Sequence, residues 1–324
     1  MTLTAIKYHP ETIDQFRGNP LIEVLPRRIS TAEVIRELTC RPAFREEDRS
    51  ASAEDRGMLV QTLLRIYQPC EKDIDICSKV ERCIRWGYSD RNPLSPEFIQ
   101  QQHFEYEAHL KDEGFIKYTQ SYPTTSGFAL LGISGLGKST TLHHVLSRYP
   151  QVIRHTCYNG IPFNETQITW IHMDCPNDGS LKGLCGAFFE HIDNLLSTDY
   201  FAQYDERRTT LNKMRIAMAR IARTYHLGVI VIDEIQSLCV AKDESIPVKT
   251  LNFLVTLVNT IDIITLPSST GVNKNLAIKH NTLISTLLTR KNYPKDIIQF
   301  LNQILHKKEY NDRRIVLLVR FCLL

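Results

Sequence analysis

Apolar residues recur along this chain in two rhythms, and the order in which the rhythms alternate predicts an architecture. Short apolar runs at 128–131, 167–174, 227–234 and 263–266 are bounded by glycine, proline or polar positions and read as buried strands. Residues 151–155 read as a short strand or a sheet edge. After the first run, Leu142, Val145 and Leu146 fall at helical spacing. Residues 181–196 place Leu184, Phe188, Phe189 and Ile192 on one inward face of an amphipathic helix. Residues 207–226 and 248–259 read as two further helices. Apolar strands separated by helices predict an α/β fold whose parallel sheet is covered on both faces.

Residues 1–125 follow a different, mostly helical pattern. The proline-bounded segment 18–26 is expected to pack against a surface and not to form a helix. Ser30 stands three residues before Glu33, a capping box that opens a helix through Leu38. Residues 45–56 are charged and expected to be exposed. Leu59, Val60, Leu63, Leu64 and Tyr67 then line one face of a predicted helix. A second helix is predicted over 73–86, a turn-rich break over 87–93, and a charged helix over 96–117. No repeat or low-complexity tract interrupts the pattern. The chain divides into a helical region at 1–125, a core at 126–275 and an atypical basic tail at 276–324.

Composition changes this picture little. At 324 residues, 43% apolar and 23% charged, the chain has ordinary globular proportions and can build a core without disulfides. No apolar stretch reaches bilayer-spanning length, and the first residues lack a signal-peptide core, so a soluble, cytosolic protein with no membrane partner is expected. Nine cysteines without a C-x-x-C pair argue for reduced thiols. Cys70, Cys77 and Cys83 cluster at a spacing that suits no common zinc site, and they are expected to be buried. The net charge is +3, but residues 271–324 hold ten Lys/Arg against three Asp/Glu. A tail of that kind is a solvated end or a polyanion contact.

The chemistry lies in two places. Gly132-Ile133-Ser134-Gly135-Leu136-Gly137-Lys138-Ser139 fits G-x-x-x-x-G-K-[ST], the Walker A phosphate loop, with Thr140 next to it. Phosphate oxygens must approach several backbone N–H groups closely. Gly132, Gly135 and Gly137 clear side chains from their path and permit positive φ. A helix from Thr140 onward would aim its free N–H groups at the anion. Lys138 would reach the β/γ-phosphates of ATP, and the Ser139 hydroxyl would ligate Mg²⁺. The second place is Val229-Ile-Val-Ile-Asp233-Glu234, four apolar residues and an acid, the Walker B pattern. Asp233 would complete the metal shell and Glu234 would take a proton from the attacking water. Phosphate-loop kinases of small molecules rarely end this strand in Asp-Glu, whereas assembly ATPases of the AAA+ type often do. Gln236 either reports on the nucleotide or begins the next helix.

Several blocks resemble one family. His172-Met-Asp-Cys-Pro-Asn-Asp-Gly-Ser-Leu-Lys-Gly-Leu-Cys185, followed by Phe188-Phe189, is similar to the segment after the second core strand of TnsC proteins, relatives of the TniB group. The surround of Asp233-Glu234 at 219–238, the helix at 251–261, and the N-terminal blocks at 18–26, 84–88 and 91–93 are similar as well. The resemblance spans about 8–264, and the Asp-Cys-Pro…Leu-Lys-Gly-Leu-Cys block is its most specific part. TnsC proteins are AAA+ ATPases that regulate cut-and-paste DNA transposition. The resemblance implies an ATP-bound homo-oligomer, a ring or filament on double-stranded target DNA in a prokaryotic cytosol. It would take a signal from a target-selection protein, engage transposase subunits, and come apart on hydrolysis. Nucleotide at a subunit boundary would strengthen association only in the ATP state, and mass action would couple the two.

The family continues with a polar sensor, a finger arginine and a helical lid. Here Thr270 or Asn273 would fill the sensor position, and nothing recognisable as a finger or lid follows Lys274. ATP binding is expected to persist with weak hydrolysis. For DNA, Lys182 is the candidate contact, ahead of Arg207, Arg208, Lys213 and Arg215. Two other readings use the same residues: a helicase-loader or initiator AAA+ protein, and a non-hydrolysing nucleotide-dependent interaction module. A small-molecule kinase is more distant.

Overall fold

A single apolar strand explains the core. β8 (Val229–Asp233) is buried at every position. Val229 and Val231 face one hydrophobic cluster, while Ile230 and Ile232 face the other. A strand buried on both sides shows no alternation, which is why it reads as an unbroken apolar run. It pairs in parallel with β7 (Trp170–Asp174) and β9 (Asp262–Leu266), and β9 pairs in parallel with β1 (Gly127–Leu130). β11 (Leu318–Phe321) closes the outer edge of β1 in antiparallel fashion, so the sheet order is β11-β1-β9-β8-β7. The computed structural model describes residues 6–43, 45–110, 127–130, 132–133, 135–176, 178, 180–205, 207–234, 262–266, 268–269 and 318–321. The sequence-predicted helix at 248–259, residues 111–117 of the predicted 96–117 helix, and Gln236 lie outside them.

On one face of the sheet lie α7 (Leu181–Leu196) and α9 (Leu211–Thr224). Leu184, Phe188, Phe189 and Ile192 of α7 are fully buried there with Met214, Met218 and Ile221 of α9. Ser180 and Thr210 cap the two helices by accepting from Gly183 N and Lys213 N. α9 begins at Leu211, later than the predicted Arg207, because Thr210 supplies the cap. Between the helices lies the single turn α8 (Tyr200–Gln203).

The other face is covered by α6 (Lys138–Leu146) together with the N-terminal α1 (Pro20–Glu23), α2 (Thr31–Leu38) and α4 (Glu71–Ser89). Leu142, Val145 and Leu146 of α6 share one cluster with Leu21, Val34, Ile76, Val80 and Ile84. α3 (Ala53–Val60) and α5 (Pro96–Leu110) complete the helical N-terminal region. Tyr88, at the end of α4, is fully buried and donates to His226 O at 2.8 Å. Asn19 Nδ2 donates to Tyr88 O at 2.8 Å. Buried Arg85 pairs with Glu11 and Glu81 and donates to Pro26 O.

Two of the strand pairs outside the main sheet lie between α6 and α7 in the chain: β3 (Val152–Arg154) pairs with β6 (Thr166–Ile168), and β4 (Cys157–Tyr158) with β5 (Ile161–Pro162). The apolar run 167–174 therefore serves two sheets. Thr169 N donates to Gln151 O at 2.9 Å and separates β6 from β7.

Several expectations are corrected. Segment 18–26 contains a helical turn, α1, because Pro20 suits the first helical position and Asn19 Oδ1 accepts from Leu21 N at 3.0 Å. Residues 59–67 do not form one helix. α3 ends at Val60, a 3₁₀ turn covers Gln61–Arg65, and Tyr67 pairs with Cys40 through two backbone bonds that demand an extended residue. Leu59, Val60, Leu63 and Leu64 are consequently exposed. The break expected from Gly87 begins only at Asp90, because burial of Tyr88 carries α4 through Ser89. Cys77 and Cys83 are buried, but Cys70 is exposed at the cap of α4. Among the described residues no helix is long and apolar enough to cross a membrane.

Gly228 joins α9 to β8 in the space between Tyr88 and Thr169. A Cβ there would sit 2.4 Å from Thr169 O and 2.6 Å from Tyr88 Oη. Gly228→Ala is expected to destabilise the fold by about 3 kcal/mol, since backbone must move to admit the methyl group. Urea unfolding compared with the parent protein measures this.

Candidate functional site

β1 carries the chain to the rim of the sheet, and the loop after it turns back on glycines. β2 (Gly132–Ile133) pairs in parallel with β10 (Ser268–Ser269). Gly132 is thus part of a strand pairing. Gly135 and Gly137 do adopt left-handed φ, at +80° and +84°. A Cβ at either would meet nothing within 4 Å, so the need for glycine is one of backbone conformation, and the space beside the loop is open. α6 starts at Lys138, two residues before the expected Thr140, with Gly137 as its cap. Thr141 N closes the first turn on Gly137 O at 2.8 Å. Gly137 has no side chain to occupy the free N–H groups of that turn, which leaves a ready anion site.

Lys138 is 7% exposed. Burial pulls its pKa down, and the carboxylates of Asp233 and Glu234 push it part of the way back. A buried ammonium group thus stands at the start of the helix, beside the anion site. Ser139 Oγ donates to Asp233 Oδ2 at 2.5 Å. Parallel pairing sets Asp174 opposite Asp233 in register, and His172 stands two residues before Asp174 on the same strand. The ligating atoms of His172, Asp174 and Asp233 lie within 4.8 Å of one another. Burial tends to raise the pKa of Asp233. The neighbouring His172, the Ser139 hydroxyl and the Glu234 N–H outweigh it and hold the carboxyl below its usual range. Glu234 N donates to Asp233 Oδ1 at 2.8 Å, and Glu234 itself has φ +51° with an exposed side chain.

This donor set fits Mg²⁺. A hydroxyl and two carboxylates are hard oxygen donors gathered beside an anion site. His172 Nε2 is buried, makes no hydrogen bond, and lies 3.7 Å from Asp233 Oδ2, so a polar group remains to be satisfied.

A glycine loop between a strand and a helix, with Lys-Ser at the helix start and an acid at the end of the parallel strand one place beyond β9, defines a P-loop ATPase fold. Residues 124–276 match the family described as the AAA domain, and the chain has a P-loop AAA-type fold preceded by a helical region. Among solved structures it is similar to a Walker-type ATPase of Pyrococcus abyssi, at 14% identity and a TM-score of 0.30. That match covers 64% of this chain and 64% of the other, so less than two thirds of the archaeal protein's length is spanned. Among curated proteins no relative matches the sequence.

Of the residues singled out from sequence, Gly135, Leu136, Gly137, Lys138, Ser139 and Thr140 form the loop and first helical turn, and Ser139 meets Asp233. Lys182 is the second residue of α7 and is half-buried. Ser134, Thr270 and Asn273 lie outside the described residues. Sequence reasoning missed His172 and Asp174 as neighbours of Asp233. Their signal was an i, i+2 pair at the end of a strand, which points both side chains to one face. It also missed Lys72, whose Nζ donates to Leu136 O at 2.9 Å.

Gly137→Ala is expected to cost about 1 kcal/mol of stability, the strain of a left-handed alanine. Denaturant unfolding without nucleotide measures it.

Proposed function

We propose that this chain is an ATP-binding AAA+ ATPase that regulates DNA transposition, assembling on target DNA in its ATP state. The observation that carries the nucleotide reading is the 2.5 Å contact between Ser139 and Asp233, made beside buried Lys138. In this reading the N–H groups at 135–140 bind the phosphates, and Lys138 supplies charge at the β/γ-phosphates. Ser139 and Asp233 would hold Mg²⁺, with Asp174 and His172 near enough to orient its water shell. The ion, when bound, neutralises charge building on the phosphate oxygens. Glu234 holds the proton of the attacking water. Its left-handed backbone, fixed by the bond from its own N–H to Asp233, sets the carboxylate apart from the metal-holding acid.

The transposition reading rests on the block from His172 to Cys185 and the segments similar to TnsC proteins around it. Under this reading the partners are a target-selection protein, transposase subunits, duplex DNA and further copies of the chain. Lys182, at the start of α7, would contact the phosphate backbone.

Binding of ATP by the parent protein is expected to be abolished by Lys138→Ala. Glu234→Gln is expected to retain binding and lose turnover by at least about a hundredfold. Calorimetry and a phosphate-release assay with DNA present check the two. Electron microscopy with ATP and duplex DNA should show rings or filaments for the parent and none for Lys138→Ala; bare DNA in both would overturn the assembly reading. Lys182→Glu is expected to weaken DNA binding and flatten its salt dependence, read by fluorescence anisotropy across a salt series. Association with a replicative helicase and none with transposase would select the helicase-loader reading instead.

A further inference from the structure

The phosphate loop is held from outside its own strand-loop-helix unit. Lys72, the second residue of α4, donates from Nζ to Leu136 O at 2.9 Å. Buried Asp73 accepts from Thr141 Oγ1 at 2.8 Å and from Cys70 N at 2.9 Å. The Tyr67 hydroxyl lies 3.5 Å from Thr141 Oγ1, and its ring stacks on His144 at 3.9 Å between centroids, 14° from parallel. The start of α4 therefore grips the loop at 136 and the following helix at 141, and Tyr67 just before α4 packs on that helix at 144.

The grip on Leu136 has a geometric consequence. In a trans peptide the carbonyl and the next N–H point in opposite directions. Holding Leu136 C=O toward Lys72 turns the Gly137 N–H the other way. The Leu136–Gly137 peptide is also one that can reverse, since type I and type II turns differ by rotating a peptide ahead of a glycine. Gly137 at φ +84° presents no steric barrier of its own to that rotation. A charge-assisted bond to the carbonyl is among the stronger ways to hold one orientation.

We propose that Lys72 is a positioning residue for the nucleotide: it fixes the Leu136–Gly137 peptide so that the Gly137 N–H stays presented to phosphate. The proposal rests on the ATP-binding reading above. Lys72 acts through the loop, and the helical region N-terminal to the core thereby sets the affinity of a site within the core.

The test is a titration of a fluorescent ATP analogue into the full chain and its Lys72→Met, Lys72→Arg and Lys138→Ala variants, with melting of each measured without nucleotide. Lys72→Met is expected to weaken binding about tenfold, the effect of losing one charged hydrogen bond. Lys72→Arg restores most of the affinity, and nucleotide-free melting is little changed. Lys72→Met binding as tightly as the parent overturns the proposal and leaves the ATP reading standing. An affinity loss that merely follows a lowered melting temperature, without rescue by arginine, also overturns it, as a structural role would do that. Should Lys72→Met fail to fold, Lys72→Gln is titrated in its place under the same criteria. No binding by the parent protein removes both readings.

Discussion

One meeting of side chains organises this molecule: Ser139 at the start of α6 against Asp233 at the end of β8, residues 94 positions apart in the chain. It exists because β8 is apolar on both faces and can only lie between two other strands. Parallel pairing on each side then brings the carboxyl ends of β7, β8 and β9 to one rim. The phosphate loop leaves β1 at that same rim. Polar chemistry is thus displaced to the edge of an interior that has no place for it, and ligands of such sheets bind at this edge for the same reason.

The helical N-terminal region takes part in this arrangement directly. α4 lies on the sheet beside α6, and its residues share a cluster with Val229 and Val231. Tyr88 bonds to His226 at one end of α4, while Lys72 and Asp73 bond to the loop and α6 at the other. Asp73 is buried, which alone would raise its pKa. Bonds from the Cys70 backbone and thiol and from the Thr141 hydroxyl outweigh this and hold it ionised below the ordinary range. The stabilisation it contributes is present above the ordinary aspartate pKa and is lost as pH falls through the depressed folded value.

Much of the fold was legible because local signals agreed with burial. The Ser30–Glu33 box opened α2, the 181–196 periodicity placed Leu184, Phe188, Phe189 and Ile192 on the buried face of α7, and an apolar run closed by Asp233-Glu234 gave β8. Both halves of the candidate site carry spacings that the phosphate chemistry dictates. What failed to show was non-local. Leu59 to Tyr67 kept helical spacing, yet the pairing of Tyr67 with Cys40 broke the helix. β11 pairs with a strand far earlier in the chain, and nothing in its own residues names that partner. Lys72 looked like one charge among many at the start of a helix. Its role depends on α4 lying against the loop, which no spacing encodes. Asp174 gained its position only when register set it opposite Asp233.

The placement of β1 between β9 and β11 bears on how the protein is made. Both neighbours are encoded late, from Asp262 and from Leu318. On the ribosome β1 emerges with neither hydrogen-bonding edge matched. At about 5–20 residues per second it waits on the order of ten seconds for them. Until they have emerged, the strand that leads into the phosphate loop has no partner in the sheet.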